Sequence, residues 1–207
     1  MQKNLKVSFI LQTLNDYFPD PIIPLNHENA YELLIAVLLS AQCTDERVNK
    51  VTPKLFAVAK TPFEMIHLKE EIIASIIKPL GLANRKAKAI LSLSKKLVDE
   101  FSGKVPSTLE ELESLEGVGH KTASVVLIQA FQTPAFPIDT HIHRLAKRWG
   151  LSNGKSVEQT ETDLKKLFPQ NRWVKLHLQM IYYARQFCPA RGHILENCPI
   201  CKKIISK

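Results

Sequence analysis

Apolar residues recur along the chain at the three- and four-residue spacing of amphipathic helices. Three such stripes are Val7, Ile10, Leu11 and Leu14; Ile72, Ile73, Ile76 and Ile77; and Ala87, Ile90, Leu91, Leu93 and Leu97. Proline and glycine residues separate the apolar runs, and no segment carries the pattern of a β-hairpin. The pattern therefore predicts an all-α protein of roughly ten helices, given an average helix length of about 11–12 residues.

A glycine turn joins two of the predicted helical runs. The first run covers residues 107–115, where Ser107 and Glu110 have the spacing of a capping box. The turn Gly117-Val118-Gly119 follows, and a second apolar run covers residues 124–131. The two glycines allow positive φ angles and close approach to a neighbour, and the free N–H groups of the second helix can bind a phosphate. Similar turns also connect helices that bind no ligand, so the turn alone leaves both interpretations open.

The charge balance favours a polyanionic partner. The 207 residues include 28 Lys and Arg against 20 Asp and Glu, which gives a formal charge of +8. Nucleic acid is the first expectation and a membrane surface the second. The apolar stretch 33–39 is too short to span a bilayer, and the N-terminal apolar run is interrupted by Gln12 and Asn15 without a cleavage site. We therefore expect a cytoplasmic protein with no membrane partner.

Three of the four cysteines lie close together near the C-terminus: Cys188, Cys198 and Cys201. Such a cluster cannot crosslink a whole fold. In a reducing compartment it favours a metal site over disulfides. The fourth cysteine, Cys43, is far away in the sequence, and we expect it to pack in the core.

Five short stretches resemble, in the same order, the helix-hairpin-helix DNA glycosylases of the endonuclease III family. They are residues 39–45 (LSAQCTD), 81–87 (GLANRKA), 115–123 (LEGVGHKTA), 138–141 (IDTH) and the cysteine-rich tail from Cys188. The resemblance implies a two-lobed fold with DNA bound between the lobes. One lobe would span residues 22–132 and contain the helix-hairpin-helix motif at about 107–131. The other would combine residues 1–21 and 133–207.

The resemblance also implies an enzyme of base-excision repair that acts as a monomer on double-stranded DNA with an oxidised pyrimidine or an abasic site. Lys121 matches the family's nucleophile, which displaces the base, forms a Schiff base with the sugar and permits β-elimination on its 3′ side. The attacking amine must be neutral, and the start of a helix disfavours a cation. The alternative role for Lys121 is a solvated lysine that contacts phosphate.

Asp139 matches the family's catalytic carboxylate. Its position before a helical run equally suits an N-cap, and both roles can coexist because a cap leaves one oxygen free. The damaged base must leave the stack before reaction. Gln42 and Leu82 match the residues that fill the vacated space, although a polar loop residue and a packing leucine are the simpler explanations.

Further DNA contacts are expected from the hairpin and from scattered basic residues. The hairpin residues are Gly117, Val118, Gly119 and His120, and the basic residues are Arg85, Lys86, Arg144 and Lys147. The histidines His120, His141 and His143 equally suit surface or capping roles.

The chain departs from the family pattern at two places. Many members hold an iron–sulfur cluster with four cysteines, six residues separating the first two, whereas here nine residues separate Cys188 from Cys198 and a fourth cysteine is missing from the tail. Three states stay open: no metal, a zinc ion bound with His193 as fourth ligand, or an atypical cluster. In addition, Glu116 replaces the usual proline before the first hairpin glycine and adds negative charge near the expected phosphate site.

Two other functions compete with this hypothesis. A monofunctional glycosylase of the same superfamily would activate water with Asp139 and would not need the amine of Lys121. A non-catalytic DNA-binding protein would need the hairpin but not Asp139, Gln42 and Leu82. The combination of these residues in one chain therefore favours the bifunctional enzyme.

Overall fold

The structure is a computed structural model that describes residues 3–205, and within this range it contains helices and no strands. The α-helices are α1 Lys3–Tyr17, α2 Ala30–Leu39, α3 Asp45–Phe56, α4 Pro62–Met65, α5 Glu70–Ile77, α6 Ala83–Phe101, α7 Leu109–Glu113, α8 His120–Ala130, α9 Thr140–Arg148, α10 Val157–Leu167, α11 Trp173–Gln186 and α12 Pro199–Ile205. Short 3₁₀ turns cover Lys78–Leu80, Gln170–Arg172 and Leu195–Asn197. The predicted all-α class is confirmed. Residues 3–205 form twelve α-helices and not the expected ten, because α4, α7 and α12 are shorter than an average helix.

The three apolar stripes lie on α1, α5 and α6, and each places its central residues in a core. Ile10 and Leu14 of α1, Ile73 and Ile77 of α5, and Ile90, Leu93 and Leu97 of α6 are fully buried. Burial of each such side chain contributes about 1.5–3 kcal/mol. None of the helices in the described part of the chain is long and apolar enough to cross a membrane.

The chain divides into two compact units. The first, here called the hairpin unit, covers Ile23–Thr133, and the second, the tail unit, combines Met1–Ile22 with Pro134–Lys207. The centre of the hairpin unit is α2, in which every residue from Tyr31 to Leu39 is buried. A helix that is apolar on all faces belongs in the middle of a core, and α2 packs against both α3 and α8.

The core of the tail unit surrounds α9 and α11. Its largest fully buried side chains are Trp149, Tyr183 and Phe136, and α1 adds Ile10 and Leu14. The same core includes Cys188, Cys198 and Cys201, which are fully buried. The C-terminal cysteines are therefore part of the packed interior of this unit.

The predicted capping box is wrong by one residue. Thr108, not Ser107, caps α7, because its hydroxyl accepts a hydrogen bond from the Glu111 amide and donates one to the Glu111 carboxylate. Two pairs with capping-box spacing overlap here. The later pair starts the helix in the register that buries Leu112. The helix is accordingly shorter than the predicted run, and α8 begins at His120, four residues earlier than expected.

Candidate active site

The turn between α7 and α8 needs glycine at its first glycine position. Gly117 has a φ angle of +80°, which favours glycine. A Cβ atom there would lie 2.9 Å from Cβ of Ala89 and 3.1 Å from Cδ1 of Leu38. The Val118 amide donates to the Leu115 carbonyl at 3.1 Å, and the Val118 side chain is buried. The turn is thus fixed against α2 and α6, and it directs the start of α8 outward.

The N-terminus of α8 lacks a side-chain cap. Gly119 is the N-cap residue in an extended conformation, and it has no side chain to accept from the first amides of the helix. Such amides and the positive end of the helix dipole are suited to an external anion. His120 is exposed, and its Nδ1 lies 2.7 Å from Oε1 of Glu113, so this residue connects the two helices of the hairpin.

Lys121 is the second residue of α8, and its side chain is exposed. The helix therefore presents the amine beside the same uncapped N-terminus. A primary amine in this position can attack an electrophilic carbon of a molecule whose phosphate is bound by the helix start. The catalytic role of Lys121 stays a prediction at this point.

Asp139 is the N-cap of α9, as its position in the sequence predicted. Its Oδ1 accepts a hydrogen bond from the Ile142 amide at 2.8 Å. The segment before it is held by buried groups: Phe136 and Ile138 are in the core, and Nδ1 of the buried His177 lies 3.0 Å from the Pro137 carbonyl. The cap uses one carboxylate oxygen, so a fixed carboxylate with a second oxygen remains for chemistry.

Gln42 and Leu82 have the same unusual backbone conformation. Their φ angles are +58° and +53°, in the left-handed region that residues with a Cβ rarely adopt. Gln42 is exposed in the turn before α3, and Leu82 is 52% exposed at the N-cap of α6. Each such conformation costs about 1–2 kcal/mol. Strained residues of this kind cluster at functional sites, where the surrounding structure holds them in place.

Lys86 connects these two loops from inside the protein. Its ammonium donates hydrogen bonds to the carbonyls of Leu39 and Ala41 at 3.0 Å and of Leu80 at 3.2 Å. The residue is 5% exposed, and burial lowers the pKa of its ammonium. The prediction that Lys86 contacts phosphate is therefore wrong, because its three N–H groups are used by backbone carbonyls. One buried cation instead fixes the chain just before Gln42 and just before Leu82.

Among the other residues with possible DNA contacts, some are hydrogen-bonded within the protein and others are exposed. Arg144 donates from Nε and Nη2 to the Cys188 carbonyl, at 3.3 and 3.1 Å, and it is half-buried. These hydrogen bonds give Arg144 a packing role within the tail unit, and its phosphate contact stays a prediction. Arg85 and Lys147 are exposed, and their phosphate contacts stay predictions. His143 lies 2.8 Å from the hydroxyl of Thr160, in accordance with a structural role.

The tail brings together all four of the residues considered for a metal. One ligand atom each from Cys188, His193, Cys198 and Cys201 lies within 4.8 Å of all the others. The sulfurs of Cys188 and Cys201 are 3.7 Å apart, and all three cysteines are free thiols. Hydrogen bonding among these thiols, with Cys188 the largest cause in both cases, lowers the pKa of Cys198 and raises the pKa of Cys201. Three sulfurs and one imidazole this close together are ligand types that could hold a metal ion.

Comparison with known proteins assigns the chain to a family. The family model of the HhH-GPD superfamily base excision DNA repair protein matches residues 35–170, which is more than half of the chain. The chain belongs to this superfamily. The match includes the hairpin, Lys121, Asp139 and both strained loops, so the repair-protein resemblance found in the sequence is confirmed.

Individual relatives of this HhH-GPD protein cover nearly its whole length. Endonuclease III of Escherichia coli K12 is 44% identical over 191 residues, which are 92% of this chain and 90% of the relative. The structure of a non-covalent endonuclease III–DNA complex matches with a TM-score of 0.93 at 39% identity and covers both chains completely. The structure of a trapped endonuclease III–DNA covalent intermediate matches with a TM-score of 0.90 at 39% identity and covers 99% of this chain and 100% of that one.

Sequence reasoning missed the residues that support the HhH-GPD site from inside. The sequence pattern predicts a DNA contact for Lys86, although this residue precedes Ile90 by four positions and so lies on the buried stripe of α6. That spacing could have identified it. His177 gave no comparable signal, because its partner is a backbone carbonyl 40 residues earlier in the chain.

Proposed function

We propose that this HhH-GPD protein is a bifunctional DNA glycosylase and abasic-site lyase that removes oxidised pyrimidines from double-stranded DNA. The observation that carries the proposal is the position of Lys121, an exposed amine at an uncapped helix start immediately after the hairpin glycines. The similarity to an endonuclease III trapped as a covalent DNA intermediate supports the proposal that this enzyme forms a covalent bond with its substrate.

The hairpin would bind the DNA backbone. Gly117 lets the turn pack closely on α2 and α6, and Gly119 leaves the first amides of α8 to a phosphate oxygen. This contact is independent of base sequence, as a repair enzyme that searches DNA requires. The overall charge of +8 supports the same partner through release of counterions.

The strained loops would hold the DNA open after the base has left the stack. The amide of Gln42 can donate to and accept from the orphaned partner base, and Leu82 provides an apolar wedge. Both side chains already project into solvent, and Lys86 holds the backbone on the N-terminal side of each. The three hydrogen bonds that the buried Lys86 ammonium donates to backbone carbonyls therefore compensate the strain in these loops.

In the chemical step, Nζ of Lys121 attacks the sugar carbon C1′ as the bond from C1′ to the base breaks, and the base leaves with a proton. The bond from C1′ to the ring oxygen O4′ then breaks, O4′ takes up a proton, and a protonated Schiff base forms between Lys121 and C1′. The positive Schiff base acidifies C2′, so a proton leaves C2′ and the bond to the 3′ phosphate oxygen breaks. Water then hydrolyses the Schiff base and releases the amine. We propose that the Asp139 carboxylate stabilises positive charge on the sugar and transfers protons.

We propose that the protein acts as a monomer in the cytoplasm and that Cys188, His193, Cys198 and Cys201 bind a metal ion. A monofunctional glycosylase of the same superfamily remains the competing function, in which Asp139 would activate water and Lys121 would have no covalent role.

Borohydride trapping tests the covalent step. The protein is mixed with duplex DNA that contains one thymine glycol or one abasic site, reduced, and the adduct is mapped by peptide mass spectrometry. We expect an adduct at Lys121, and we expect Lys121→Gln to lower trapping by about 1,000-fold or more, which corresponds to roughly 4 kcal/mol. DNA binding by this variant should persist, because the hairpin amides are unchanged.

Lys54→Gln serves as the matched control, since Lys54 is an exposed lysine on α3 of the same unit. It should trap like the wild type. An adduct at another residue, or full base release and strand cleavage by Lys121→Gln, would exclude the proposed mechanism. Base release without any adduct in the wild type would favour the monofunctional enzyme.

A further inference from the structure

The C-terminal residues do not fit the iron–sulfur cluster that the family pattern implies. Such a cluster takes four thiolates, each on a different iron. The tail unit has three, and Cys43 belongs to the hairpin unit. The sulfurs are also too close together. Two thiolates bound to different irons lie farther apart than two thiolates bound to the same metal ion. Cys188 and Cys201 are 3.7 Å apart.

The same distance fits a single tetrahedral ion. A zinc–sulfur bond of about 2.3 Å gives a separation of about 3.8 Å between two sulfurs on one zinc. The four candidate ligand atoms all lie within 4.8 Å of one another, so one ion can reach all of them with small adjustments. We propose that Cys188, His193, Cys198 and Cys201 bind one zinc ion in place of the iron–sulfur cluster.

His193 is the residue that completes the site. It lies in the loop between α11 and the 3₁₀ turn Leu195–Asn197. Its Nε2 is buried and has no hydrogen-bond partner among the described residues. A buried imidazole nitrogen without a partner is unfavourable, and coordination of a metal ion through Nε2 would account for it. With His193 the set becomes three thiolates and one imidazole, a common ligand set of structural zinc.

The surroundings compensate the charge of such a site. Zinc with three thiolates and a neutral imidazole carries one net negative charge. Nη1 of Arg148 lies 3.1 Å from the Cys188 sulfur, and the Tyr183 hydroxyl lies 3.5 Å from the Cys198 sulfur. Partners of this type orient metal ligands and tune their basicity. The arginine therefore supplies the positive charge that an uncompensated buried anion would require.

The ligand set is closed, which indicates a structural zinc and not a catalytic one. Cys188 follows the end of α11, and Cys201 is in α12. The ion would thus fasten α12 and the loop that contains His193 to the core of the tail unit. The inference rests on the donor geometry and is independent of the activity proposed above.

Metal analysis of the full-length protein tests the proposal. The protein is purified under reducing, anaerobic conditions with both iron and zinc supplied during expression, and its metals and inorganic sulfide are counted. We expect one zinc per chain, no inorganic sulfide and no visible charge-transfer band of an iron–sulfur cluster. Replacement of zinc by cobalt(II) should give the intense visible absorption of a tetrahedral cobalt–thiolate site.

Variants connect the metal to the named ligands. His193→Ala should weaken zinc binding by about 10-fold or more, whereas Cys43→Ser, a matched change at the cysteine outside the cluster, should retain one zinc. Four irons with four sulfides per chain would overturn the proposal in favour of a cluster. Failure of the wild type to bind added zinc or cobalt would overturn it in favour of a metal-free tail. Because the wild type decides these outcomes, misfolding of a variant does not affect the test.

Discussion

Two helices that carry proposed catalytic residues begin in opposite ways. At α8 the N-cap is Gly119, which has no side chain to bind the first amides, and Lys121 follows two residues later. At α9 the N-cap is Asp139, and its own carboxylate binds the Ile142 amide. The backbone is extended at both caps, with φ angles of −91° and −100°, so the side chain makes the difference.

The comparison shows how one structural feature serves two purposes. Each helix start has the positive end of a dipole, equivalent to roughly half a unit charge, and several free amides. The uncapped start of α8 keeps them for an anion from outside the protein. The start of α9 uses them to orient an anion of the protein itself. In the proposed mechanism, the residue at the cap therefore decides whether a helix start binds the DNA backbone or positions a carboxylate of the protein.

Among changes to the two caps, the largest expected effect comes from removing the charge of the cap on α9 while its hydrogen bond is kept. Asp139→Asn retains a good N-cap residue but removes the negative charge. We expect base release to slow by about 100-fold or more, because the carboxylate no longer stabilises the cationic sugar or transfers protons. Single-turnover excision of thymine glycol measures the rate.

Asp139→Ala separates the two functions of this residue. It should show a similar loss of rate, and in addition it should lower the free energy of unfolding by about 1 kcal/mol because the cap is lost. An Asn variant that excises at the wild-type rate would show that Asp139 acts as a cap alone.

The second effect comes from adding a cap to α8. Gly119→Asp places a carboxylate where the structure leaves open space, since a Cβ atom at Gly119 meets no atom within 4 Å. We expect the protein to become slightly more stable, by a few tenths of a kcal/mol, because aspartate is a better N-cap than glycine. We expect affinity for duplex DNA to fall about 10-fold, roughly 1.4 kcal/mol, because the new carboxylate occupies the amides and repels phosphate.

Gly119→Ala is the matched control, because it adds the Cβ atom without a cap or a charge. It should retain near wild-type affinity in fluorescence anisotropy titrations with duplex DNA. Equal losses in the two variants would indicate a steric effect and would remove the argument for phosphate binding at this helix start.

The sequence predicted these helix starts to different degrees. The cap on α9 could be predicted because Asp139 directly precedes a helical apolar pattern, and capping is a local interaction. The start of α8 was placed four residues too late, since His120 and Lys121 are polar and do not continue the apolar stripe. The error in the cap of α7 has a related cause, because two overlapping pairs satisfy the same local rule and the burial of Leu112 decides between them.

Contacts between residues that are far apart in the chain could not be predicted from the sequence, for a physical reason. Lys86 binds carbonyls that lie 45 and 47 residues earlier, so its role depends on how α2 and α6 pack and not on its neighbours in the chain. Likewise, the sequence suggested His193 as a ligand but could not measure the 3.7 Å between sulfurs that favours one ion over a cluster. The family resemblance located the proposed reactive residues, whereas the contacts that hold them required the fold.

The smallest expected effect comes from Glu116, the exposed residue immediately before Gly117. Its negative charge opposes phosphate binding at the uncapped start of α8, so Glu116→Gln should strengthen DNA binding. A single exposed charge near a helix end is worth about 0.3–1 kcal/mol, which corresponds to roughly a two- to fivefold lower Kd.

Glu110→Gln, an equal change at an exposed residue of α7, should have less effect because Glu110 is farther from the turn in the chain. Since salt screens exposed charges beyond about 8 Å at physiological ionic strength, the difference between the two variants should shrink as salt is raised. A gain that persists in high salt, or equal gains in both variants, would mean that net charge and not the helix start determines affinity at this hairpin.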